Sequence, residues 1–256
     1  MNSRFAVLGA GLLMAAAAPQ THAQAVRLRI TPQVGQVTRT RTVTQMWASA
    51  DTSAAPMLST MYSTRTVEAM DGANYVVKMV MDSTVMSMPG GGAPGMGGDV
   101  MRGMIITQHI DPRGHVLSSE VTPPPGLPPM VAGMMTRNSG TNSARTTTVM
   151  PEGAVSPGYT WTDSMVTSAA GGRGRPAPVV FTVTYKFERI ERQSGARLAI
   201  ISMSGAPKGG MTGSVTGEFA LDLTAGRVAH MATNMTVQPQ EGGGPMRMKM
   251  TMETLP

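Results

Sequence analysis

The sequence predicts an all-β fold: an antiparallel meander, internally duplicated, making a curved open sheet, a half-barrel or a barrel of about ten strands. Three observations carry this expectation. Apolar and polar residues alternate with period two rather than a helical period, glycine-containing turns punctuate the alternation, and the pattern recurs after a fixed offset.

Residues 1–25 precede the first expected strand and read as an export signal. Arg4 supplies the basic end, "FAVLGAGLLMAAAA" from Phe5 to Ala18 the apolar run, and "THAQA" the small residues for cleavage after Ala23 or Ala25. That run falls short of the about 20 apolar residues a bilayer span needs, and no later segment reaches it, so no transmembrane segment is expected after signal removal. The chain has no cysteine. A lipid anchor at the cleavage site, disulfides and thiolate chemistry are therefore excluded, and the expected location is periplasmic or secreted, as a non-lipoprotein.

The clearest strand is "VVFTVTYKFERIE", which sets Val179, Phe181, Val183, Tyr185 and Phe187 against Thr182, Thr184, Lys186 and Glu188. Ser194-Gly195 follows as a hairpin turn, and "ARLAIISM" resumes the strand. Earlier, "MLSTMYSTRTVEAM" enters Asp71-Gly72 and "ANYVVKMVMD" leaves it. An offset of 123 aligns these hairpins without a gap, with eight identities over the 48 positions from Val34 to Met81, including Tyr62 on Tyr185 and Glu68 on Glu191. Farther on, "RGMIITQHIDPRGHVLSSEVTPP" parallels "TGEFALDLTAGRVAHMATNMTVQP", and "RTTTVM" and "MRMKMTMETL" offer a last strand to each unit. The expected organisation is a first β-meander unit over 26–150, with a proline-rich connector at 122–145, and a second over 151–256. Unpaired edges favour joining the two edge to edge as one domain, with two separate domains as the alternative. The segment "MSMPGGGAPGMGGDVMRGM" and its shorter counterpart "SMSGAPKGGMTGSV" read as connectors between strands, the first long enough to gate the mouth of a sheet.

"MPEGAVSPGYTWTDSM", together with strand-pair turns such as "LDLTAGRV", resembles a family of secreted bacterial β-rich proteins of unknown function. That resemblance implies no activity. A more distant architectural similarity is to LolA/LolB-like half-barrel carriers of lipoproteins, which implies a curved sheet around an apolar cavity.

The chain carries 21 basic against 15 acidic residues, and its arginines are spread without aromatic interleaving, so nucleic acid is not an expected partner. Arg27 with Arg29, and Arg39 with Arg41, share strand faces that read as solvated, with an anionic-lipid or polyanion patch as the second reading. No nucleophile elbow, Ser-x-x-Lys or phosphate-binding glycine motif occurs, so neither an enzyme nor a cofactor is expected. Glu68 and Glu191 read as exposed, turn-adjacent glutamates. A turn from Asp111 to Gly114 would pair Ile110 with His115 and set His109 and His115 diagonally on opposite faces, a poor metal site even with Asp111 nearby. Methionine is abundant at 26 residues while aromatics make up 4%. Met79 with Met81, and Met246, Met248, Met250 and Met252, fall on single strand faces and first of all fill a core; thioethers also line adaptable apolar surfaces and ligate Cu(I). The functional expectation is a non-enzymatic envelope protein that holds a hydrophobic or lipid-like ligand, with Tyr62, Met79, Met81, Phe181 and Tyr185 as lining residues. A structural or interaction module with an envelope partner is the alternative, and methionine-based Cu(I) handling a minor one.

Overall fold

The computed structural model describes residues 25–47, 55–87, 101–133, 136, 149–170, 176–209, 211–239 and 245–256. The expected export signal through residue 24, residues 88–100 of the first glycine-rich connector, most of 134–144 and residues 145–148 of "RTTTVM" lie outside the described residues. The strands are β1 (Val26–Arg27), β2 (Val37–Trp47), β3 (Met57–Asp71), β4 (Asn74–Ser87), β5 (Ile105–Ile110), β6 (Val116–Thr122), β7 (Ala154–Val155), β8 (Thr160–Ala170), β9 (Pro176–Gln193), β10 (Ala196–Gly209), β11 (Met211–Asp222), β12 (Arg227–Pro239) and β13 (Met246–Leu255). Eleven of them form one antiparallel sheet in the order β6-β5-β4-β3-β2-β13-β12-β11-β10-β9-β8, and β1 pairs with β7 apart from it. The first and second meanders thus join through β2 and β13, with Thr42 opposite Met252. No described helix is long and apolar enough to cross a membrane. A helical turn occupies residues 129–133 of the connector.

The sheet is strongly curled. Nine strand spacings separate β5 from β8, which laid flat would set them ~43 Å apart. Yet adjacent residues of one short segment touch both. Met150 N–H donates to Arg113 O at the β5–β6 turn (2.8 Å), while Val149 O accepts from Trp161 Nε1 of β8 (2.9 Å). The segment before β2 adds two more ties, from Ile30 N–H to Pro112 O and from Thr31 N–H to Gly226 O. Leu28, Met150 and Val155 are buried against the same sheet face as Phe181, Phe187, Ile201 and Phe219, so the β1–β7 pair plugs one end of the concave side. The edges meet through this plug and not through a ladder, leaving an open curved sheet.

Local chemistry sets the registers. Ser194 and Gly195 both have positive φ, as a type I′ hairpin requires, and pair Gln193 with Ala196. In the first meander the two-residue loop is Gly72-Ala73, with Asp71 opposite Asn74 and positive φ at Gly72. The loops therefore coincide at an offset of one residue less than the gap-free alignment uses. Because strand side chains alternate, that single residue puts Tyr62 and Tyr185 on opposite faces. Tyr62 lies opposite Arg41 and Ser83 on the outer face, whereas Tyr185 is buried inside.

Two further expectations change. The β5–β6 turn pairs Ile110 with Val116 instead of His115, because the Asp111 carboxylate accepts from the N–H groups of Arg113 and His115 and draws the turn in. "SMSGAPKGGMTGSV" is chiefly strand, continuing β10 to Gly209 and starting β11 at Met211. Gly205 and Gly213 allow this, since a Cβ at either would collide with a carbonyl oxygen of the neighbouring strand, Thr182 O and Thr236 O respectively. The outer face carries the ion pairs Arg41–Glu253, Lys78–Glu68, Lys186–Glu188 and Arg189–Glu191 at 2.6 to 3.5 Å, a surface suited to water.

Candidate functional site

The ladder registers show what the concave face presents, because residues directly opposite one another share a face. One row runs Phe187, Ile201, Phe219, Met231, Met252, Thr42, Met61 and Thr84 from β9 to β4. Its character changes along the way. The β9–β11 end is aromatic and closed: Phe181, Val183, Tyr185, Phe187, Ile201 and Phe219 are all buried. Trp161 stacks on Tyr185 at 5.4 Å between centroids, and Tyr185 meets the Phe219 ring edge-on at 6.3 Å. This end is core.

Around the β2–β13 junction the face is instead rich in methionine and incompletely covered. Met235, Met248, Met46 and Met57 stand opposite one another on four consecutive strands, β12, β13, β2 and β3, and all four are half-buried. Met250 and Met252 extend the patch along β13, and Met61 extends it along β3. Among the described residues no aromatic side chain joins this patch, so its shape is set by flexible thioethers.

The first meander completes the face with polar groups. Thr40 and Ser63 share a 2.8 Å hydroxyl hydrogen bond, and Ser63 is 2% exposed. The Thr84 and Ser119 hydroxyl oxygens are enclosed without a hydrogen-bond partner among the described residues. Arg65 lies between Ser63 and Val67 on this face, opposite Thr38 and Met79. Arg227 Nη1 donates to Thr38 Oγ1 at 2.8 Å. Desolvation alone holds the Arg65 guanidinium below its usual pKa range.

A separate cleft of about 360 Å³ opens where the sheet edges approach, lined by Arg113, Val149, Glu152, Tyr159, Trp161 and Asp163 among others. Its charges are engaged. Arg113 Nη1 pairs with Glu152 Oε1 at 3.0 Å, and Asp163 accepts from the Val149 and Ser164 N–H groups. It is the join of the curl.

Met79, Met81, Phe181 and Tyr185, expected as lining residues, are on the inner face, but Phe181 and Tyr185 belong to its packed end and Met81 is 5% exposed beside Met104 and Val121. Tyr62 faces outward. Glu68 and Glu191 are in outer-face ion pairs, and His109 stands 3.9 Å from the exposed Asp71 carboxylate. Among the described residues no three of His, Cys, Asp or Glu converge as a metal site. Sequence reasoning found the β13 methionines but missed that Met46, Met57 and Met235 join them, since only strand order makes them neighbours. It also passed over Arg65, whose position in the period-two run "STRTVE" was the available signal. No protein-family model matches the chain, and no curated protein matches its sequence.

Proposed function

We propose that this is an exported envelope protein that holds an acyl chain or similar apolar ligand on the methionine-lined part of its concave face. The observation that supports it is the half-buried row Met235, Met248, Met46 and Met57 across four strands, beside an end of the same sheet that is fully packed. A sheet that can bury Phe187 and Ile201 completely has the means to close its core, so an incompletely covered apolar row next to it suits a guest. Thioether side chains adapt to a chain of variable shape at little rotameric cost and give contact without directional demands. Function here is retention and release, with no bond made or broken.

Uptake of a fluorescent fatty acid by the purified protein tests the reading. Binding should saturate at one or a few sites, and Met248→Asp, which sets a carboxylate in the middle of the row, should weaken it at least about tenfold, the equivalent of 1.4 kcal/mol. Absence of saturable uptake by the wild-type protein would sink the proposal.

A further inference from the structure

We infer that the concave face carries an anion site centred on Arg65 and flanked by Arg227, which receives the carboxylate or phosphate head of the ligand; the inference rests on the acyl-chain reading above. Its geometry follows from the ladder. Arg65 alternates with Ser63 and Val67, which are 2% and 3% exposed, so all three side chains enter the concave side. Directly across from Arg65 is Thr38, whose hydroxyl accepts from Arg227 Nη1. Arg227 thus brings a second guanidinium to the threonine that stands opposite Arg65, while its own ladder partner is Asp222.

Arg65 differs from the outer-face cations that are ion-paired. Arg41, Lys78, Lys186 and Arg189 each have a carboxylate within 3.5 Å, whereas Arg65 has neither an ion pair nor a hydrogen bond among the described residues. Its ladder neighbours, Thr38 and Met79, bring no negative charge. The other meander shows what the position is worth when it serves packing alone. Counted from the hairpins, Arg65 opposite Met79 corresponds to Phe187 opposite Ile201, six residues before Asp71 and Gln193 respectively, and Phe187 is 0% exposed. The first meander has placed a cation where the second places its most deeply buried ring. A half-buried, unpaired charge carries a desolvation cost, and a ligand anion offsets it while engaging the planar fork that fits carboxylate or phosphate. Desolvation of Arg65 is in keeping with this placement. The methionine row and Arg65 lie on one continuous face, since Arg65, Ser63, Met61, Ser59 and Met57 follow one another along β3. The ligand class is thus an anionic amphiphile, head at Arg65 and chain toward Met57.

Competition binding with laurate, dodecanol and inorganic phosphate tests this on the full protein, as wild type, Arg65→Met and Arg65→Lys, with thermal melts of each. Wild type should prefer laurate over dodecanol about tenfold, as expected for one charge-assisted contact. Arg65→Met should abolish that preference by weakening laurate, and Arg65→Lys should keep part of it. Equal binding of the two by wild type, or a preference that survives Arg65→Met, overturns the anion site. If neither alkyl compound binds, the acyl-chain reading falls; a rise in Tm with phosphate that Arg65→Met removes would then still sustain the anion site, and no phosphate effect would overturn it as well.

Discussion

Gly226 closes the turn after β11 at φ +60, and an ideal Cβ there would lie 2.5 Å from the carbonyl carbon and oxygen of Thr31. The position combines left-handed backbone with backbone contact, because Thr31 N–H donates to Gly226 O at 3.1 Å. Gly226→Ala should cost about 3 kcal/mol, from the left-handed conformation and from forcing the plug off the turn. Gly72 has the same sign of φ at +62 but open space around it. Gly72→Ala should then cost only about 1 kcal/mol, the conformational part alone. Chemical denaturation of the two variants separates packing from conformation; equal losses would show that the Thr31 contact contributes nothing.

At the scale of the element, β9 depends on one inserted residue. Phe187 pairs with Ile201 and Arg189 with Ile200, leaving Glu188 as a bulge. Its carboxylate accepts from Ser202 Oγ and pairs with Lys186 Nζ, both at 2.7 Å, and the Lys186 and Ser202 hydrogen bonds hold its pKa below the usual carboxylate range. A carboxyl depressed on folding stabilises above its unfolded value near 4.5 and loses that contribution as pH falls through the folded value. Glu188→Gln should therefore fold, and its Tm deficit relative to wild type should shrink as pH drops below about 4.5. Deleting Glu188 is a different event. Without the extra residue, either Phe187, Tyr185, Val183 and Phe181 or the residues on the turn side must swing to the other face, and the buried cluster is lost. Near-ultraviolet circular dichroism should show a native-like signal for Glu188→Gln and none for the deletion; a native signal in both would refute the register argument.

At the scale of the whole molecule, the curl is held by few contacts. Arg113 Nε donates to Met150 O at 2.8 Å, and Arg29 donates to the carbonyl oxygens of Leu28, Pro151 and Glu152. The Arg113–Glu152 ion pair adds little, since Glu152 is 82% exposed. Arg113→Ala should lose about 1 to 2 kcal/mol, chiefly the hydrogen bond to Met150. Hydrogen exchange should quicken at Met150 and Ile30 while Phe219 and Ile201, deep in the β10–β11 ladder, stay protected. Uniform loss of protection would show that the plug and the sheet unfold as one unit.

The strands and their hairpins were legible in the residues, because period-two alternation and glycine turns are local properties of the chain. The β13 methionines were legible for the same reason. Tyr62 was misplaced because a face depends on the hairpin loop and on bulges, each a shift of one residue that sequence identity at Gly72 and Gly195 conceals. The methionine row could not be read at all, since it joins residues as far apart as Met46 and Met248, and the Thr38–Arg65 juxtaposition needed the register of β2 on β3. Sequence by itself determined which segments are strands and which side chains alternate along them. Only the tertiary structure decided which strands are neighbours and which face turns inward, because ladder order and curl arise from pairing and packing between distant segments, and these brought Arg65 and the methionines onto one concave surface.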